Sequence, residues 1–259
     1  MSPTSRAAEA LAGPRVVTLT NGTFAENCHL VADPLTGEVA LVDPGEEAPL
    51  FLACAGREGW KVRAVWLTHA HVDHVAGVAA VRAATGAPVW LHPADRRLYD
   101  RAADQARAFG LRVEPPPPPD RAFVEGEPVG VGGLRFDVLH TPGHSPGGVT
   151  LAGHGMAFVG DLLFAGSVGR TDLPGGDSDT LLASIREKLF ALPDDTVVHP
   201  GHGPSTTIGA EKRDNPFVRL MPGVNACLRC GAEVRPKPWG CKNPCPNCGH
   251  VYPLGDCSD

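Results

Sequence analysis

The sequence predicts an α/β fold followed by a small metal-held module at its C-terminus. Three observations predict it. Strand-like and helix-like segments alternate along residues 15–216. Several of the loops that follow strands carry His or Asp, which is where open α/β scaffolds place their chemistry. The last 33 residues carry paired cysteines instead of apolar periodicity.

The elements follow in order. Residues 1–14 are rich in Ala, Ser and Pro and are expected to be disordered. Val16–Leu19, Cys28–Ala32 and Glu38–Val42 read as strands, the last two joined by Asp33-Pro34-Leu35-Thr36-Gly37, a segment with hairpin-loop chemistry. Asp43-Pro44-Gly45 leads into a helix from Ala48 to Glu58, and Asp43 reads equally well as a helix cap or as a support for the metal loop nearby. Val62–Leu67 is a strand, Val75–Thr85 a helix broken by Gly86-Ala87-Pro88, and Val89–Leu91 another strand. Pro93–Phe109 reads as one amphipathic helix, with Leu98, Ala102, Gln105 and Phe109 on the face that covers a sheet. The five prolines Pro115–Pro119 read as a surface loop. Strands are predicted at Leu134–Leu139, Gly148–Leu151, Met156–Val159 and Thr196–Val198, with a helix over Thr180–Phe190.

Composition limits the function classes. With 259 residues and 42% hydrophobic content, the chain is long enough for one sizeable core with a small second unit. A net charge of -6 and a pI near 6.0 give no electrostatic footprint for nucleic acid or an anionic membrane, so a small-molecule partner fits better. No apolar stretch approaches the roughly 18 to 20 residues of a spanning helix, and Met1–Pro14 lacks a basic segment followed by an apolar one. A cytoplasmic location with no membrane partner is the expectation. The crowding of Cys227, Cys230, Cys241, Cys245 and Cys248 near the end, with metal-type spacing, agrees with a reducing compartment.

The densest chemistry is Thr68-His69-Ala70-His71-Val72-Asp73-His74, directly after the strand Val62–Leu67. His69 and His71 sit two apart and leave the chain on the same side, so their imidazoles can converge on one ion. Asp73 and His74 follow in the turn into a helix, where they can face a second ion. Imidazole and carboxylate are donors that zinc, iron and manganese accept. Three later loops add His140 and His144, Asp161, and His199 and His202.

T-H-A-H-V-D-H, T-P-G-H-S, G-D-L-L-F and G-H-G, in this order over about residues 15 to 216, resemble the metallo-β-lactamase superfamily and specifically its glyoxalase II branch. The resemblance implies a four-layer αββα sandwich with the site at one edge. It implies that His69, His71 and His144 bind one divalent metal, that Asp73, His74 and His202 bind a second, and that Asp161 bridges both, with Asp73 and Asp161 also catalytic. Zinc is the first expectation for both metals, with iron or manganese as alternatives. Two such ions held by five neutral imidazoles and two carboxylates keep a net positive site and lower the pKa of a bridging water toward neutrality. A thiolate, with a pKa around 8.5, leaves with little help, so a thioester, hydroxyacylglutathione or a related acyl-thiol, is the expected substrate.

Within the superfamily, Gly166–Asp172 and Thr206–Lys212 resemble small bacterial glyoxalase II-type hydrolases. G-R-T-D at 169–172 also occurs in persulfide dioxygenases, which the chain resembles in scaffold. That alternative implies a single iron held by positions matching His69 or His71, His144 and Asp161, while His202 favours a second metal and hydrolysis. After Phe217 the chain is too short and too Cys-rich for the basic helical domain that holds glutathione in longer glyoxalase II enzymes. Asp161 and the Asp73-His74 pair fit thioester hydrolases better than lactam-cleaving sites. His29, His92, His154 and His250 read as structural or solvent-facing, His140 and His199 as such or as outer partners of ligands, and Cys28 and Cys54 as interior. Arg170 reads first as an ion pair with Asp172 and second as a contact for an anionic substrate.

Residues 217–226 read as a linker, and 227–259 as a zinc-ribbon-like module. Cys227-x-x-Cys230 and Cys245-x-x-Cys248 can place four thiolates tetrahedrally around one structural zinc, and a module this small needs the metal to fold. Rubredoxin-type iron uses similar knuckles, and Cys241 lies close enough to compete as a ligand. Arg229, Arg235, Lys237 and Lys242 are thin for tracking phosphates, so a structural role, a protein partner or a dimer contact is the expectation. A wholly different reading makes the chain a binding or regulatory protein docked through this ribbon; the intact ligand set argues against it.

Overall fold

The computed structural model describes residues 13–218. The expectations of a disordered N-terminus, a linker and a cysteine-held ribbon therefore fall, apart from Gly13, Pro14, Phe217 and Val218, outside the described residues.

Sheet one runs β1 (Arg15–Asn21), β2 (Glu26–Asp33), β3 (Glu38–Val42), β4 (Lys61–Trp66), β5 (Val89–Leu91) and β6 (Arg121–Ala122), with neighbours in that order. Its first three strands are antiparallel, and β3 through β6 are parallel. The parallel half is fed by α1 (Ala48–Arg57), then α2 (Val72–Val75) and α3 (Val78–Thr85), as parallel pairing requires a crossover. Sheet two holds β7 (Val129–Val131), β8 (Leu134–His140), β9 (Val149–Gly153), β10 (Met156–Gly160), β13 (Val197–Pro200) and β14 (Thr206–Thr207). A short ribbon of β11 (Leu163–Phe164) and β12 (Ser167–Val168) stands between β10 and α6 (Ser178–Ala183), and α7 (Ile208–Asp214) follows β14.

Side-chain alternation explains the layering. In β2 to β4, Leu30, Val39, Leu41 and Val65 pack toward the helices with Phe51, Val78 and Val81. Their neighbours Val31, Ala40, Val42, Ala64 and Trp66 face the second sheet with Phe136, Val138, Leu151 and Phe158. Both faces are buried, so these strands read as continuous apolar runs. Across sheet two, Ala157, Val159 and Val198 face Leu181, Ile185 and Ile208. The result is the expected αββα sandwich. No helix among the described residues is long and apolar enough to cross a membrane.

Three predicted helices are interrupted, each for a local reason. Val75–Thr85 breaks at Gly77, which packs so closely on Gly45 that a Cβ there would collide with the Gly45 carbonyl. Pro93–Phe109 divides into a 3-10 turn (Pro93–Asp95), α4 (Arg96–Tyr99) and α5 (Ala102–Ala108). Asp95 is tied to the site loops at one end, and buried Tyr99 donates its hydroxyl to the Pro117 carbonyl at 2.8 Å at the break. Thr180–Phe190 continues past α6 as a π turn over Ser184–Lys188, where Ser184 Oγ donates to the Pro142 carbonyl at 2.7 Å.

The two sheets touch at the end that carries the His loops. Val149 N–H donates to the Thr68 carbonyl at 2.8 Å, joining the end of β4 to the start of β9. Asn27 N–H donates to the Gly201 carbonyl at 2.7 Å, and Gly201 N–H to the Gly160 carbonyl at 2.8 Å. At the far end, Asp33 both closes the β2–β3 hairpin, accepting from Leu35 N–H (2.8 Å) and Thr36 Oγ1 (3.0 Å), and accepts from Gly133 N–H of the β7–β8 turn at 2.7 Å.

Candidate metal centre

Four loops at the touching edge bring seven side chains together. His69 and His71 follow β4, Asp73 and His74 ride on α2, His144 lies between β8 and β9, Asp161 directly follows β10, and His202 follows β13. His69, His71 and His144 form one group, and Asp73, His74 and His202 another, each with donor atoms within 4.8 Å of one another. Asp161 lies between them. Its Oδ2 is 3.6 Å from His144 Nε2 and 3.4 Å from His202 Nε2, and its Oδ1 is 3.3 Å from His74 Nε2. Asp73 Oδ2 is 3.2 Å from His202 Nε2. Gly201 lets Asp161 and His74 approach, since a Cβ there would collide with both.

Outer contacts fix which nitrogen of each ring faces inward. His144 Nδ1–H donates to the Arg170 carbonyl at 2.7 Å, His202 Nδ1–H to the Phe24 carbonyl at 3.1 Å and His74 Nδ1–H to Asp43 Oδ2 at 3.0 Å. Thr68 Oγ1 donates to Asp43, so it accepts from His69 Nδ1–H at 3.1 Å. Each of these rings thus turns its Nε2 toward the centre. His71 differs by turning Nδ1 inward, 2.8 Å from His144 Nε2.

Burial first, and then the neighbouring imidazoles of His74 and His144, hold His69 well below its ordinary value. Burial and His144 hold His71 near about 3. Both are therefore neutral donors at pH 7. Burial opposes protonation of His74 and His202 as well, but the carboxylates of Asp73 and Asp161 outweigh it, raising His74 well above its ordinary value and His202 to about 10. The same imidazoles keep Asp73 and Asp161 below the usual carboxylate range in spite of burial. The pocket thus concentrates ionised carboxylate against imidazole, a charge pattern that divalent cations satisfy in place of protons. The donor set fits such ions. His69 Nε2, His74 Nε2 and Asp161 Oδ1 are buried without a hydrogen-bond partner, all three aimed into the centre.

Asp43, Asp95 and Asn27 organise the loops. Asp43 accepts from Thr68 N–H (2.7 Å), from Thr68 Oγ1 and from His74 Nδ1–H, in a backbone conformation with φ +51°. Of the two readings of this residue the structure shows the support; the helix cap is Glu47. Asp43 also groups with His69 and His74, but its oxygens are already committed to these three donors. Asp95, which lies in the segment predicted as a covering helix, is fully buried. It accepts from Ala70 N–H (3.0 Å), Ser145 Oγ (2.8 Å) and Gly147 N–H (2.6 Å), stapling the His69–His71 loop to the His144 loop. Asn27 Nδ2 donates to the carbonyls of Pro200 (3.2 Å) and Gly203 (2.8 Å), holding the turn that bears His202. Nothing in the sequence pattern singles these two out, because the loops they hold lie 25 to 176 positions away.

His140 and His199 hydrogen-bond to none of the seven side chains among the described residues. His140 Nε2–H donates to the Pro146 carbonyl at 2.9 Å and stacks on His92, while His199 stacks on Phe158 and meets Ser205 Oγ at 3.2 Å. Arg170 is paired through two contacts of 2.7 Å with Asp172. Cys28 and Cys54 are free and buried, as expected.

Comparison with known proteins places this geometry. Residues 21–202 match the family model of the metallo-beta-lactamase superfamily. The chain is 41% identical over 199 residues to hydroxyacylglutathione hydrolase GloC of Haemophilus influenzae, covering 75% of this chain and 93% of that one. Among solved structures it is similar to TTHA1623 in a di-iron-bound form (TM-score 0.73, 47% identity, 78% of this chain and 100% of that one). It is also similar to the BLEG-1 B3 metallo-beta-lactamase (0.75, 38%, 79% and 99%) and to ETHE1 from Myxococcus xanthus (0.65, 29%, 78% and 83%). The matched span contains all seven convergent side chains, and the fold implies a binuclear metal site; the chain belongs to the metallo-beta-lactamase superfamily.

Proposed function

We propose that this member of the metallo-hydrolase superfamily cleaves a thioester of the hydroxyacylglutathione type. His69, His71 and His144 would hold one divalent metal, Asp73, His74 and His202 the other, with Asp161 shared. The observation that carries the reading is the convergence of seven donors whose inward atoms His69 Nε2, His74 Nε2 and Asp161 Oδ1 have no other partner.

When bound, such a pair of ions supplies Lewis acidity toward a carbonyl oxygen and a hydroxide at neutral pH. The chain's own residues set the conditions for it. Asp161 and Asp73 stay ionised and supply negative charge that partly offsets two divalent cations. Buried His69, His71, His74 and His144 close the inner side against bulk water, while Asp73 and His202 border the open side by which substrate enters. A thiolate leaving group needs no protein acid. The 41% identity to a hydroxyacylglutathione hydrolase supports this substrate class.

A second reading, persulfide oxidation at a single iron, draws on Gly169-Arg170-Thr171-Asp172. One experiment separates them: the full chain, loaded in turn with zinc, manganese or iron, is given S-lactoylglutathione and, in parallel, glutathione persulfide. Thiol release without oxygen uptake is expected. Oxygen uptake on persulfide by the iron form alone, with no thiol release from the thioester by any form, would replace this reading with the second. For the tail, we propose one structural zinc on Cys227, Cys230, Cys245 and Cys248; Cys227→Ser/Cys230→Ser is expected to lose one zinc per chain without loss from the catalytic centre.

A further inference from the structure

The candidate ligands are unequally covered. His69 and His74 are sealed, whereas the side chains of His202 and Asp73 are 26% and 16% exposed. His202 and Asp73 thus border the open side of the centre, where Phe164 meets the His202 ring and Phe24, whose carbonyl holds His202, pairs with Phe109. Phe164, in β11, sets its ring edge-to-face with the His202 imidazole, centroids 6.0 Å apart and planes at 83°. Phe24, in the β1–β2 turn, carries the carbonyl that accepts from His202 and meets Phe109 edge-to-face at 5.1 Å and 80°. Phe109, just past α5, remains 52% exposed, the largest such apolar side chain among the described residues. Its helix is nonetheless fixed to the metal loop, because Gln105 Nε2 donates to the carbonyls of Ala70 (3.1 Å) and Leu98 (2.8 Å). The Arg170 guanidinium is already taken up by Asp172.

We propose that Phe24, Phe109 and Phe164 form an aromatic rim that recognises an apolar, preferably aromatic, group of the thioester substrate, an inference that rests on the thioesterase reading above. A phenyl or branched alkyl group beside the reacting carbonyl covers the exposed face of Phe109 and stacks against rings that are already positioned. An apolar contact surface of this kind discriminates between substrates by roughly 10- to 200-fold. The rim can grip either side of the sulfur, and separate substrate series tell which.

The test uses the metal-loaded full chain and two series: acyl groups of rising apolar size on glutathione (lactoyl, then mandeloyl), and lactoyl on thiols of rising apolar size (N-acetylcysteamine, then benzyl mercaptan). In one series, kcat/KM should rise about tenfold from the small to the phenyl-bearing member, chiefly through KM. Phe109→Ala should abolish that ratio and Phe109→Tyr restore it. Leu35→Ala, an equally exposed change on the β2–β3 hairpin, should leave it intact. Calorimetric binding of S-benzylglutathione gives a readout independent of turnover, with Phe109→Ala expected to weaken Kd about tenfold. If no thioester is cleaved but this Kd still depends on Phe109, the hydrolase reading fails and the rim stands. If Phe109→Ala leaves both the kcat/KM ratio and the Kd unchanged, the rim is overturned.

Discussion

The two halves of the centre are built differently. His69, His71 and His144 are deeply buried and held from within the scaffold, by Thr68 at the end of β4, by the Arg170 carbonyl and by the Asp95 staple. In the other half His74 is sealed against Asp43, but Asp73 and His202 border solvent, and His202 depends on contacts made by residues 24 to 27, at the far end of the sequence. The first half is thus a preformed, buried pocket in which His69 and His71 are neutral. The second is a charged, more open site assembled across the sheet-to-sheet contact. The difference suggests which half loses its ion first and which one meets the substrate.

Substitutions can break or sharpen this contrast. The largest effect is expected from Asp161→Ala, since among the described residues that carboxylate alone lies within 3.6 Å of donors from both halves. Thioester turnover should fall by about a hundredfold to a thousandfold, with metal lost from both halves by elemental analysis. Asp43→Asn keeps a residue that tolerates the left-handed backbone but weakens the acceptor shared by Thr68 and His74. Metal affinity should drop about tenfold to a hundredfold, most at the His74 half. Asn27→Ala removes the grip on the His202 turn, together with the acceptor for Thr20 Oγ1 on β1, so about tenfold weaker binding is expected at the second ion alone, seen as a shift in one of two steps of a metal titration. Equal weakening of both steps would erase the distinction between the halves.

The smallest effect on the centre is expected from Asp33→Asn, at the opposite end of the sandwich. Burial works against the Asp33 carboxylate, but donation from Gly133, Leu35 and Thr36 outweighs it and holds its pKa below the usual range. Stability should fall by about 2 kcal/mol at pH 7, measured by urea unfolding, with both metal steps unchanged. A lowered folded pKa gives an advantage that is complete above the unfolded value of about 4 and disappears as pH falls through the folded one. The two proteins should therefore converge in stability in strong acid and differ most near neutrality.

Much of this could be read from the sequence, for identifiable reasons. The strands of the sheet interior carry long apolar runs, and four donors in six residues at the end of one of them point directly to metal binding. Short edge elements such as β6, β7, β11, β12 and β14 were missed, because two or three residues carry no periodicity. Helix breaks at Gly77 and Tyr99 depend on contacts with Gly45 and Pro117, which local propensity does not contain. Around the centre, donors that share a dense motif are legible. Supports that act through backbone carbonyls, such as those of Phe24 and Arg170, are not, since any residue type can supply a carbonyl.

The central claim is that the two groups of donors form one binuclear centre. It is tested most directly by native mass spectrometry of metal-stripped Cys227→Ser/Cys230→Ser protein titrated with zinc, which excludes the tail site from the count. Two ions per chain are expected, the second bound more weakly and lost in His202→Ala while the first is kept. A single ion in excess metal, with His202→Ala no different from the parent, would contradict the account.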